Sequence, residues 1–461
     1  MKSLFMVSLI LFCPLSSIPN NDDSINVREF TIFNSINGTS EIIPDTDPWI
    51  DTSISDKISL GSQEVRVTAI TWSLKILNDW QHKYGAIERQ KPLSEGEIFS
   101  YDEPNDGEIN HRTFWVKSNL IHKLQSINGL IALIDAERPP ESYDIQTSEI
   151  PPQFDPETVR SSEIHGANDA WEMGYTGENM VVAVADTGVD FGHPDLNGTQ
   201  ARVDYVDSEY AGWPLMLDHN SMYYWLVDGA AYPQTNTWYA NTSIMDFDND
   251  SNGILDNSGY NITGINSSLS GIYHLGEHPD PTLRNKAGGD VPILVVDDRI
   301  SGLYETVYPD IDLNNWFGNE TPMRPGEETS GRDVDGDGLW DISAGLVYWV
   351  ADGINGAPYT ETYASRHGYS NRIPGSGNLT LFMLESGNHG TLCASAVAAQ
   401  GIVANGSIKG MAPNATISSI GNHYSGGHAL DGWRFIAEGY DGDPTTPDQP
   451  NIGSFSFGYS F

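Results

Sequence analysis

The run Met180-Val181-Val182-Ala183-Val184-Ala185 restricts the fold of this chain more than any other stretch. Apolar residues without alternation describe a strand covered on both faces, and such strands occur in parallel sheets flanked by helices. The run ends in Asp186-Thr187-Gly188-Val189-Asp190. An acid at the carboxyl end of a central strand lies where open α/β sheets bind ligands and carry out chemistry. An α/β architecture with a carboxylate at its working edge is the first expectation.

A second segment, Gly387-Asn388-His389-Gly390-Thr391-Leu392-Cys393-Ala394-Ser395-Ala396-Val397-Ala398, reads as a loop delivering one histidine to the start of a helix of small residues. Asn388 is the expected cap, Gly390 lets another backbone approach, and the alanines let the helix pack closely. With His193-Pro194-Asp195-Leu196 downstream of Asp186, and Gly410-Met411-Ala412-Pro413-Asn414-Ala415 downstream of the helix, the pattern resembles the subtilisin-like serine peptidases. The spacing between acid and histidine is 389 − 186 = 203 residues, long for that family, and resembles its pyrolysin-like branch with a large insert.

The resemblance implies roles. His389 is the general base and Asp186 the carboxylate that orients it. Asn451-Ile452-Gly453-Ser454-Phe455-Ser456-Phe457-Gly458 resembles the strand lining the substrate cleft, which gives Ser456, Phe457 and Gly458 as substrate-binding residues. The family's chain order is Asp, His, Ser, so the nucleophile is expected after position 389 and beyond this fragment. Gly38-Thr39-Ser40-Glu41-Ile42-Ile43-Pro44 only superficially matches a serine segment, with Ile42 where a small residue belongs. Without a nucleophile the 461-residue chain is expected to be inactive, since losing it costs about a million-fold in turnover.

The expected fold is α/β: a subtilisin-like parallel sheet with helices on both faces, incomplete, preceded by a ferredoxin-like α/β propeptide and interrupted by a β- and loop-rich insert. The boundaries expected are a signal peptide at 1–19, a polar segment at 20–63, a propeptide-like domain at 64–136 and a linker at 137–157. The peptidase domain then occupies 158–198 and 378–461, around the insert at 199–377. The propeptide reading comes from two strand–helix units: Glu64–Thr71 with Ser73–Tyr84, and Arg112–Lys117 with Asn119–Ile127 and Gly129–Ile134. Within the insert, Val291–Val296 and Leu346–Val350 read as strands.

Two acidic loops in the insert share one frame, Asp-x-Asp-x-(Asp/Asn)-Gly-x-x-Asp. One is Asp248, Asp250, Asn252, Gly253, Ile254 and Asp256; the other is Asp333, Asp335, Asp337, Gly338, Leu339 and Asp341. Oxygens at positions 1, 3 and 5, a carbonyl at 7 and an acid at 9 suit a hard cation, with glycine at 6 for the turn. Position 12 holds Gly259 or Ala344 rather than glutamate, so these resemble the shorter calcium loops of extracellular repeats. Structural calcium is expected, and no organic cofactor.

Charge narrows the partners. With 63 acidic and 23 basic residues the formal net charge is −40, which disfavours nucleic acid and anionic membrane. The apolar run Leu4–Phe12 after Lys2 is too short to span a bilayer and reads as a signal, so no stable membrane insertion is expected and the product is secreted or at the cell surface. Removal of Cys13 leaves only Cys393, and no intrachain disulfide. Polypeptide substrates and the chain's own propeptide, acting as an intramolecular inhibitor, are the expected partners. The competing class is a non-catalytic, calcium-binding surface protein with a peptidase-derived fold.

Overall fold

The computed structural model describes residues 48–71, 74–84, 110–137, 162, 165–229, 237–403, 405–406, 408–421 and 426–456. The expected signal peptide, the Gly38–Pro44 segment, nearly all of the linker, and Phe457 and Gly458 fall outside these residues.

Strands β1 (Trp49–Ile50), β2 (Glu64–Thr71), β3 (Asn110–Lys117) and β4 (Leu130–Asp135) form one sheet in the order β1-β4-β2-β3. Strict alternation gives this sheet two unlike faces. Val65, Val67, Ala69, Phe114 and Val116 pack with Ile54, Leu77, Trp80, Ile121 and Leu124 of the helices on one side. Arg66, Thr68, His111, Thr113 and Trp115 point the other way; their register pairs Arg66 with Trp115 and Thr68 with Thr113.

The unit differs from expectation at its start. It starts at Trp49, because Asp51 caps the helix Thr52–Ser59 through Ser53 N and Ile54 is fully buried in the core, so the boundary at Glu64 falls inside it. Among the described residues, β3–helix–β4 forms a βαβ unit, with the antiparallel β2 between its two strands. β2 and β3 are direct antiparallel neighbours, and residues 85–109, where the first expected half would place the strand after the helix Leu74–Tyr84, lie outside the described residues.

The apolar run forms β5 (Val181–Ala185). It lies in a parallel sheet with β6 (Leu217–Asp218), β15 (Thr416–Gly421) and β16 (Ile452–Phe455), in the order β16-β5-β15-β6. Ala183 to Ala185 are almost completely buried, as continuous apolar character requires. β6 and the bridge between Gln200 and Ile417 attach residues near the start of the expected insert to this sheet, so the insertion begins after Asp218 rather than at 199.

Among the described residues the insertion holds two antiparallel sheets. One has the order β11-β10-β9-β8, from β8 (Ile244–Asp246), β9 (Tyr273–Glu277), β10 (Pro292–Val296) and β11 (Thr306–Pro309). The other has the order β12-β13-β14-β7, from β7 (Tyr239–Asn241), β12 (Thr329–Arg332), β13 (Ile342–Val350) and β14 (Leu379–Met383). β14 lies beyond 377, so the expected second boundary also shifts. Its core is continuous with that of the parallel sheet: Val184, Trp238, Trp349, Phe382 and Ile417 belong to one cluster.

The N-terminal unit docks through its polar face. The Arg66 guanidinium lies 3.6 Å from the centre of the Tyr223 ring, and Trp115 Nε1 donates to Tyr223 Oη at 3.2 Å. Thr113 N donates to His367 Nδ1 at 3.0 Å. The Asp431 carboxylate is met by His367 Nε2 at 3.1 Å and His111 Nε2 at 3.3 Å. These partners belong to three helices of the body: His219–Asp228, Thr360–His367 and Gly426–Glu438.

Candidate active site

Strand β5 carries the chain to Asp186, whose N–H still bonds to Ile420 O across the sheet at 3.0 Å. The carboxylate is buried at the strand's end, where Thr187 N donates to it at 2.7 Å. His389 opens the helix His389–Ala398, and its Nδ1 lies 2.7 and 2.8 Å from the two Asp186 oxygens. A carboxylate accepts only, so Nδ1 carries the hydrogen and Nε2 is left with a free lone pair for proton transfer. The imidazole side chain keeps about a third of its surface exposed while its partner is 4 % exposed, the combination a base serving an external reactant needs.

The small residues between these segments have a steric cause. A Cβ on Gly390 would collide with the carbonyl oxygen of Gly188. That closeness lets Gly390 N donate to Thr187 Oγ1 at 2.8 Å and Ser386 N to Thr187 O at 3.1 Å. At the helix's far end a Cβ on Gly410 would meet the backbone of Val397 and Ala398, where Met411 N and Ala412 N bond to Ala396 O and Val397 O. The expected cap does not form: Asn388 sits in the left-handed region at φ 63° and its side chain makes no capping bond. Glu385 caps instead, accepting from Thr391 N at 2.7 Å. A carboxylate four residues upstream of the histidine was the signal.

Cys393 Sγ lies 3.7 Å from His389 Nδ1, on the next turn of the helix. Burial pushes its thiol up to about 11, so it stays protonated at neutral pH and is no nucleophile there. Ser456 bonds to the same thiol, which brings the end of β16 beneath the histidine. Of the three expected substrate-binding residues, Ser456 is the one described.

Both acidic loops fold as one repeated turn. Gly253 N and Gly338 N donate to Asp248 and Asp333, and Ile254 N and Leu339 N donate to Asn252 and Asp337. In each loop the acids at positions 1, 3 and 9, Asp248, Asp250 and Asp256 or Asp333, Asp335 and Asp341, bring oxygens within 4.8 Å of one another. Asn252 and Asp337 use a side-chain oxygen to hold the turn.

A third loop with this geometry escaped the sequence reading. Asp310, Asp312 and Asn314 repeat positions 1, 3 and 5, with Asn314 N and Asn315 N donating to Asp310 and Trp316 N to Asn314. Asn315, at φ 62°, replaces the turn glycine, and Glu320 joins Asp310 and Asp312 within 4.8 Å. Burial, then the charges of Asp312 and Asp310, push the Glu320 carboxyl up to about 7. A hard cation fits all three oxygen-rich sets by donor chemistry.

A family model described as the subtilase family matches residues 177–458. Over 72 residues the chain is 44% identical to the minor extracellular protease Vpr of Bacillus subtilis, which covers 14% of this chain and 8% of that protein. Over 195 residues it is 30% identical to pyrolysin of Pyrococcus furiosus, covering 39% of this chain and 13% of that one. The chain thus spans only a small part of the length of these curated relatives. No solved structure matches.

Proposed function

The chain belongs to the subtilase family, and from that premise we propose that it belongs to a secreted, calcium-stabilised serine endopeptidase precursor. The bond from His389 Nδ1 to the buried Asp186 carboxylate carries this reading. With Nδ1–H held, Nε2 takes the proton of a serine hydroxyl as it attacks the scissile carbonyl, then returns it to the leaving amine. Asp186 fixes the tautomer and stabilises the imidazolium.

The N-terminal unit is read as a propeptide. Its docking through Arg66, His111, Thr113 and Trp115 supports an intramolecular partner that assists folding and holds the enzyme latent. Polypeptides are the substrates. Calcium, held by Asp248, Asp250 and Asp256, by Asp333, Asp335 and Asp341, and by the third set, would neutralise clustered charge and rigidify the insertion. Secretion is supported by the similarity to Vpr, an extracellular protease. No helix among the described residues is long and apolar enough to cross a membrane.

The test is labelling of the product of the complete reading frame with a fluorophosphonate probe, beside its Asp186→Asn and His389→Ala variants. Strong labelling of the parent and near-absent labelling of both variants is expected. A processed, folded parent that does not label would favour the non-catalytic calcium-binding alternative.

A further inference from the structure

One carboxylate between β14 and the histidine helix has partners on both sides of His389. Glu385 Oε1 accepts from Gly387 N at 2.7 Å, two residues before the histidine. Its Oε2 accepts from Thr391 N at 2.7 Å and from Thr391 Oγ1 at 2.8 Å, two residues after it. Thr391 Oγ1 in turn accepts from Asp190 N at 3.0 Å. A hydrogen-bonded chain, Asp190 to Thr391 to Glu385, thus ties the aspartate segment to the histidine segment independently of the Asp186–His389 contact. An antiparallel bridge between Gly188 and Glu385 joins the same two segments through their backbones.

We propose that Glu385 is a positioning residue for the general base: its anion fixes the loop before the histidine helix and the first turn of that helix as one rigid piece. His389 Nδ1 then meets Asp186 without reorganisation when substrate binds. This rests on the peptidase reading of the site. Two features make the charge itself necessary. Gly387 N–H, Thr391 N–H and the Thr391 hydroxyl all present hydrogens to Glu385, so only a group that accepts at both oxygens satisfies them together. The helix has no side-chain cap from Asn388, and while Thr187 takes the Gly390 N–H, the Thr391 N–H of its first turn depends on this carboxylate. In Glu385→Gln an amide NH2 must face one of those hydrogens, at unchanged side-chain length.

The displacement expected is small and its effect on chemistry large, because a misplacement of about 1 Å in a catalytic group can cost on the order of 100-fold. In the product of the complete reading frame, Glu385→Gln should lower kcat by roughly 10- to 100-fold, with KM within about twofold. The acidic limb of kcat/KM should move to lower pH, because a loosened Asp186 contact weakens the imidazole's hold on its proton. Glu385→Asp, charged but shorter, should recover part of the loss.

A second readout uses the 461-residue chain and needs no turnover. The proton shared by His389 and Asp186 should give a low-field 1H resonance that Glu385→Gln shifts upfield or broadens away. Should Glu385→Gln not fold, Thr391→Val, which removes the hydroxyl link alone, should give an intermediate change in the same resonance. A Glu385→Gln protein with the parental resonance and an unmoved acidic limb would overturn the proposal, as would a loss in kcat explained by a lowered Tm alone. An inactive parent would instead count against the peptidase reading, and the resonance would still decide the role of Glu385.

Discussion

Acidification is expected to loosen the docking of the N-terminal unit, and His367 sets the pH window. Its Nδ1 accepts from Thr113 N, so Nε2 carries the hydrogen and donates to Asp431. The ring is fully buried, with Tyr363 and His111 against it and Arg112 acting on it across the interface. Burial pushes its pKa down to about 4, although the Asp431 charge opposes the shift. Burial also works against ionised Asp431, but the two imidazoles hold its carboxyl well below the usual range. Protonating His367 would place a second N–H against Thr113 N–H, two donors with no acceptor.

In an undocked state the ring regains an ordinary value near 6.5. That state then binds more protons than the docked one between about pH 6.5 and 4. The contribution to docking is complete above this window and falls as the pH drops through it. At pH 4.5 the loss is about 2–3 kcal/mol, or on the order of 50- to 100-fold in the docking equilibrium.

Hydrogen exchange at pH 7 and 4.5, corrected for intrinsic rates, reads this directly in peptides spanning Asn110–Lys117 and Thr360–His367. His219 and His278 are also held down to about 4 by burial, so acid destabilises the body as well. The control is His367→Gln, whose amide accepts from Thr113 and donates to Asp431 but does not titrate. Equal acid-induced loss of protection in parent and His367→Gln would refute the reasoning.

Three other outcomes follow from the site and the loops. Chelation with EDTA should lower Tm by several degrees, since calcium at about 100 times its Kd contributes about 2.7 kcal/mol; unchanged Tm and protease resistance would exclude structural calcium. Gly390→Ala should destabilise by about 1–3 kcal/mol as its methyl pushes on Gly188, measured by urea denaturation, and a neutral variant would contradict the close approach. Modification of Cys393 with a bulky thiol reagent should inhibit the complete enzyme and should proceed faster as pH rises towards 11, where the thiolate forms; full activity after confirmed modification would refute a thiol packed beneath the base.

What the sequence disclosed and what it hid follow from the range of each signal. β5, Asp186 and the histidine helix were legible because each is a short contiguous pattern. The first two acidic loops were readable for the same reason. Their third relative was not, because Asn315 adopts the left-handed turn that glycine usually marks. The helix cap was assigned to the nearest plausible side chain, Asn388, whereas Glu385 reaches it across a bend that sequence does not show. The N-terminal unit began earlier than expected because β1 is only two residues long and gains its partner from β4, far along the chain. The docking face, with Arg66 and His111 turned towards the body, depends on tertiary contacts that no local pattern records.

The junction between the insertion and the catalytic segments has a consequence for anyone seeking a minimal version of this protein. The Trp238 ring, just before β7, crowds both Gly188 after β5 and Gly421 at the end of β15, and β14 runs on into Glu385 and the histidine loop. Excising the insertion and rejoining the flanks would empty the space that this indole fills. Losing a buried Trp of that kind typically costs about 3–5 kcal/mol. The excision would also cut the strand that aims the base. The insertion behaves as a keystone rather than a cassette: chimaeras that swap it must import its tryptophan and its last strand together, or lose the geometry on which His389 depends.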